Sequence, residues 1–197
     1  RRMMQYAKSI HGCRQELVVD SGAFRQLPEK LVEQGRRRIL LISGRQTQRL
    51  GLYDKFVSKL QNNGAKCFVW HIEKSDSDHQ TVEKCTKFCK SYNCDVIVAF
   101  GGGKVIDVAK MVSVWVNNPD LSLYQMRGIG QIKNAGMPLY VVASTGSGAE
   151  SSACSMLRNN HQILMYYSKY LVPSTVVLDP ELLLRLPTDN MAQSMIQ

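Results

Sequence analysis

The stretch DVIVAFGGGKVIDVAKMVSVWV, residues 95–116, decides how the rest of the chain is read. Val96 to Phe100 form a short apolar run of the kind that makes a buried strand, and Val105, Val108, Ala109 and Val112 fall on one face at helical spacing. Between strand and helix lie Gly101, Gly102 and Gly103. Three successive residues without a Cβ let the backbone turn sharply and let another group come close, at a cost in conformational entropy. A phosphate makes the fullest use of that approach, because a helix N-terminus presents unpaired N–H groups and a partial positive charge. A tight strand-to-helix connection without a ligand is the plainer reading of the same residues.

Outward from this stretch, short β-rich runs alternate with helical ones. Strands are predicted at Gln15 to Asp20, Arg38 to Ser43, Lys66 to Trp70, Asp95 to Phe100, Pro138 to Ala143 and Thr175 to Leu178. Leu52, Phe56, Val57 and Leu60 line one helical face between them, and Val82, Cys85, Phe88 and Cys89 line another. Apolar strands separated by helices specify an α/β fold: a Rossmann-like parallel sheet with helices on both faces. Residues 151–172 lose the alternation and read as a short β-hairpin turning near Arg158-Asn159-Asn160. In such sheets ligands bind beyond the carboxyl ends of the strands. Two glycine-containing loops fall at such ends, after Phe100 and after Ala143.

Composition narrows the classes. A chain of 197 residues with 44% apolar content supports one good-sized domain and excludes a disordered tail. No run approaches the ~20 apolar residues of a membrane span, and the Arg1-Arg2-Met3-Met4 start has no signal-peptide core, so a cytoplasmic protein without a membrane partner is expected. The six cysteines show no paired zinc spacing and are expected to be free thiols, Cys85 and Cys89 packing in the core. His11, His71, His79 and His161 are scattered, and each reads as a surface or strand-end residue. The net charge of +9 includes Arg36-Arg37-Arg38, yet no aromatic-basic interleaving accompanies it, and no nucleic-acid partner is expected.

The second loop, Ala143 to Ser152, mixes hydroxyl side chains with Gly146 and Gly148, a composition suited to sharing phosphate oxygens and also common in surface loops. Taken together the two loops resemble the signatures of the iron-containing alcohol dehydrogenase family. The family's GGGSxxDxAK is matched by Gly101 to Lys110, its PTTAGTGSEVT is similar to Val142 to Ser152, and its later LxPxxxxxDPxLxxxLP pattern is similar to Leu171 to Pro187. The resemblance runs from about Gly22 onward. It implies a domain binding NADP or NAD, followed by a helical domain that carries a divalent metal such as iron or zinc and most of the pocket for an alcohol or aldehyde. By the same resemblance Gly101, Gly102, Gly103 and Lys104 hold the pyrophosphate, Asp107 sits near the nicotinamide ribose, and Ser144, Thr145, Ser147 and Ser152 line the groove. An acid in the first helical turn is also favoured by the helix dipole, which is the plainer role for Asp107.

The departures are specific. Lys104 stands where the family has serine, Val142 and Ala143 replace Pro and Thr, and no lysine occurs around Ile163 to Met165. Gln197 aligns with the family's first metal-ligand aspartate, and an amide is a poor substitute for a carboxylate. The expectation is therefore a dinucleotide-binding domain at 1–187, with 188–197 beginning a helical domain that is absent, and neither a catalytic residue nor a metal ligand in this chain. A homo-oligomer is compatible with that reading. A glycerol dehydrogenase or dehydroquinate synthase-like enzyme shares the glycine loop, and a non-catalytic nucleotide-binding module is the reading from another class. Cofactor choice rests on the end of the second strand: Gly44, between Ser43 and Arg45, lacks the carboxylate that repels a 2′-phosphate, and Arg45 offers a planar fork of donors, so NADP is expected over NAD.

Overall fold

The computed structural model describes residues 15–73, 78–159 and 162–185. Strands β1 (Glu16–Val19), β2 (Arg38–Gly44), β3 (Lys66–Ile72), β4 (Val96–Gly101), β6 (Leu139–Ala143) and β9 (Thr175–Leu178) form one sheet in the order β1-β9-β6-β4-β2-β3. Every pairing in it is parallel. All six predicted strands are therefore present, with ends shifted by a residue or two. Strands β4 and β6 are buried along their whole length, which is why their sequences are apolar runs rather than alternating ones.

Helices cover both faces. Ile39 and Leu41 of β2 join a core with α1 (Ala23–Glu33) and α3 (Asp54–Asn62), while Leu40 and Ile42 face the opposite core with α4 (His79–Ser91) and α5 (Gly103–Val116). Between β2 and α3 runs the short α2 (Arg45–Arg49), and α6 (Pro180–Leu183) follows β9. Helix α1 is not among the elements expected from the sequence, and Pro28 lies inside it; burial of Phe24, Leu27 and Leu31 outweighs the lost backbone donor. Helix α4 is capped by Asp78, whose carboxylate accepts from the Thr81 N–H at 2.8 Å.

The predicted hairpin is β7 (Cys154–Asn159) paired with β8 (Gln162–Tyr167), Met156 opposite Met165. A two-residue strand, β5 (Gly128–Ile129), adds to β8 and was not signalled by the sequence. Leu157, Leu164 and Tyr166 point from the hairpin into the core of α4 and α5. Helix α5 consequently lies between the sheet and the hairpin, and all its residues from Val105 to Val114 except Asp107 are buried. Lys110 is among them.

The expected boundary at 188, the Gln197 position, His11 and His161 lie outside the described residues. Among the described residues no helix is long and apolar enough to cross a membrane.

Candidate functional site

The strand order places a switch point between β2 and β4. From β2 the chain runs outward to β3, then crosses back to β4 and continues in the opposite direction through β6 to β9, which lies beside the edge strand β1. The segment after β2 packs on one face of the sheet and α5, after β4, on the other. Loops that part in opposite directions leave a crevice at the carboxyl ends of these strands, the usual ligand position of an open α/β sheet.

Gly101 to Gly103 form the floor of that crevice. None of the three has a positive φ; Gly102 is extended at φ −89° and ψ −170°. Space, rather than left-handed backbone, demands glycine here. A Cβ on Gly101 would lie 2.7 Å from Val105 Cγ2, one on Gly102 would lie 3.0 Å from Thr145 Oγ1, and one on Gly103 would lie 3.4 Å from Ser147. Gly102 is also the N-cap of α5 and contributes no side chain to it, so the first amides of a 14-residue helix face the crevice without a side-chain cap. Lys104 is exposed in the first turn.

Register brings the second loop alongside. Gly101 lies opposite Ala143, and the Ser144 N–H donates to the Gly101 carbonyl at 3.1 Å. Ser144 is buried, Thr145 is half-buried, and Ser147 is exposed with its hydroxyl 3.5 Å from the Glu150 carboxylate. The structure thus gathers Gly101, Gly102, Gly103, Lys104, Ser144, Thr145 and Ser147 at one groove.

Asp107 and Ser152 have additional attachments. The Asp107 carboxylate accepts from the Met156 N–H of β7, and burial pushes its pKa above the ordinary value against the pull of nearby Lys110. The Ser155 hydroxyl donates to the Asp107 carbonyl at 3.0 Å. Asp107 therefore joins α5 to the hairpin. Ser152 accepts from Lys110 Nζ through its carbonyl at 2.7 Å and its hydroxyl at 3.0 Å.

At the end of β2, Ser43 is fully buried and its hydroxyl pairs with Thr47, at the start of α2. It has the position expected of it but spends its hydroxyl inside the protein. A Cβ on Gly44 would meet only Val105 Cγ2, at 3.8 Å, so the backbone there leaves room for a side chain. The Arg45 guanidinium is ion-paired with Glu73, just beyond β3. Sequence reasoning gave no role to Glu73 or Lys110; for Lys110 the available signal was a lysine in the apolar body of the helix, three residues after an acid.

A dinucleotide fits the groove: it has a floor that a side chain would fill and an uncapped helix start. A metal does not fit the described residues, among which no three His, Cys, Asp or Glu side chains converge. The five described cysteines are free, and burial raises Cys67 to about 12.

Fold and groove together define an α/β domain with an open parallel sheet and a glycine-floored crevice at its switch point. The family model for iron-containing alcohol dehydrogenase matches residues 15–180, and the chain belongs to that family. It is 26% identical over 169 residues to the long-chain-alcohol dehydrogenase 1 of Geobacillus thermodenitrificans, covering 84% of this chain and 43% of that protein. Among solved structures, the iron-containing alcohol dehydrogenase of Thermococcus thioreducens superposes with a TM-score of 0.83 at 22% identity, over 92% of this chain and 50% of the other. The sulfoacetaldehyde reductase of Bifidobacterium kashiwanohense, solved in complex with NAD+, gives 0.80 at 21% identity, over 91% and 48%. The chain spans about half the length of the relatives it matches.

Proposed function

We propose that this chain is the nicotinamide-dinucleotide-binding part of an oxidoreductase that transfers hydride between NADP or NAD and an alcohol or aldehyde. The observation that carries the reading is the glycine floor of Gly101 to Gly103, in contact with Thr145 and Ser147 at the uncapped start of α5. Family membership supports it, as do the alcohol and aldehyde substrates in the names of the relatives and the NAD+ bound to one neighbour. The bound cofactor supplies the hydride donor or acceptor at its nicotinamide C4. The chain's own work is orientation. Gly102, Gly103 and Lys104 hold the pyrophosphate through backbone N–H groups, with the Lys104 ammonium adding charge. Thr145, Ser147 and Ser152 form the opposite wall, and Asp107 keeps the hairpin beside the nicotinamide end.

No described residue of this chain takes a catalytic role in that reading. In this proposal residues 1–187 are the dinucleotide-binding domain and 188–197 open a helical domain of the family type that carries the metal and the substrate pocket. It takes the cytoplasm as the compartment, which suits the free thiols, and leaves a homo-oligomer open.

Titration calorimetry of NADP and NAD against the wild-type chain and Gly102→Val tests the site. The valine pushes against Thr145 and fills the floor, so a loss of at least about ten-fold, ~1.4 kcal/mol, is expected with the fold intact. Unchanged affinity in the folded variant overturns the assignment.

A further inference from the structure

Lys110 has no exposed surface, yet it carries a charge into the layer between sheet and hairpin. All three protons of its ammonium are used: Nζ donates to the Ser152 carbonyl at 2.7 Å, the Cys154 carbonyl at 2.9 Å and the Ser152 hydroxyl at 3.0 Å. Burial pulls its pKa below the ordinary lysine value, and the Asp107 carboxylate one turn earlier acts in the opposite direction. Every other residue of α5 from Val105 to Val114 except Asp107 and Ser113 is apolar, so a methionine at 110 would satisfy the packing alone. Buried charges of this kind rarely add net stability over an apolar residue of similar size. What Lys110 adds is a fixed address for the chain segment it grips.

That segment is the exit of the second loop. The loop begins anchored, with Ser144 in the ladder of β6, and then runs exposed through Gly146, Ser147 and Gly148. Its own backbone bonds after that are long: Ser151 N–H to the Gly148 carbonyl at 3.2 Å and Ser152 N–H to the Ala149 carbonyl at 3.4 Å. Gln15 adds one contact from outside, to the Glu150 carbonyl at 2.9 Å. At the far end Cys154 enters the ladder opposite Tyr167 and the Ala153 carbonyl accepts from the Ser168 N–H at 3.0 Å, which ties the loop to the hairpin; Lys110 ties Ser152 and Cys154 to the helix whose N-terminus forms the glycine floor.

We infer that Lys110 is a positioning residue for the cofactor groove: by holding residues 152–154 against α5, it fixes the second loop at the spacing from Gly102 and Gly103 that a pyrophosphate requires. This rests on the reading of the groove as the dinucleotide site. One rigid helix then carries one wall of the groove directly and sets the other through a side chain.

The test is Lys110→Met in the full chain, read by hydrogen exchange without ligand and by calorimetric titration of NADP and NAD. Amides of residues 146–152 are expected to exchange at least ten-fold faster, those of β2 and β4 to stay as in the wild type, and dissociation constants to rise at least ten-fold. A merely structural lysine lowers the unfolding midpoint but leaves the loop-to-sheet ratio of exchange rates and the affinity of the folded fraction unchanged. Either of those unchanged in folded Lys110→Met overturns the inference. If that variant does not fold, Ser152→Ala removes one of the three acceptors, and about a three-fold change in both readouts is expected; no change in either overturns the inference. A wild-type chain that binds neither dinucleotide overturns the functional reading and the ligand part of this one, while the exchange rates still decide whether Lys110 holds the loop.

Discussion

Glu73 pairs with the Arg45 guanidinium, and a 2′-phosphate arriving at the end of β2 has to compete with it. Both partners are more than a third exposed, so the pair itself contributes at most about 1 kcal/mol. Its carboxylate nevertheless offsets the charge on which the NADP expectation rests. Glu73→Gln is therefore expected to raise the ratio of NADP to NAD affinity by about three- to five-fold, ~0.7 to 1 kcal/mol. Gly44→Asp acts in the other direction through repulsion on the order of 1 kcal/mol, and the open space around Gly44 admits the side chain. Paired titrations of the two cofactors read both effects; a ratio that ignores Glu73→Gln removes Glu73 from cofactor choice. The glycine floor was legible in the sequence, because three glycines between an apolar run and a helix state a local need for space. The Lys110 clamp was not, since its acceptor Ser152 lies 42 positions away and its chemistry depends on two loops meeting.

Among the elements, the junction of α1 with α6 depends on one carboxylate. Asp179 caps α6 by accepting from the Glu181 N–H at 3.1 Å, and it also accepts from the Gly22 N–H at 3.0 Å and the Phe24 N–H at 3.1 Å at the start of α1. It is almost fully buried. Asp179→Ala leaves three backbone donors without this acceptor, and a loss of about 3 kcal/mol is expected from lost caps and unmet donors. Urea unfolding measures it; a loss below about 1 kcal/mol would mean that water replaces the carboxylate. Asp179-Pro180 could be read as a motif, but its partners 155 and 157 positions earlier could not. Strands fared better for a physical reason. Burial on both faces makes β4 and β6 apolar throughout, a pattern visible in the string itself, whereas β5 is two residues long and exists only because β8 lies beside it. Helix α1 contains Pro28, whose local penalty says nothing of the core that Leu27 and Leu31 enter.

At the scale of the whole molecule, the sheet joins neighbours in sequence around β2 and strangers at the edge formed by β1. Strand β2 pairs directly with β3 and β4, the next two strands in the chain, while β1 pairs with β9 alone, Glu16 opposite Thr175. Closing a loop of that length costs conformational entropy before any contact repays it. Pulse-labelled hydrogen exchange during refolding is expected to protect β2 and β4 first and β1 together with β9 later; simultaneous protection of all four would show that the edge is part of the nucleus. The same pairing has a consequence during synthesis. Translation delivers β1 before every other described strand and its partner β9 after all of them, so Leu17 and Val19 emerge from the ribosome long before Leu178 does. For that interval a short apolar strand lacks the partner it has in the folded sheet, and it is open to a chaperone or to the same strand on a neighbouring polysome.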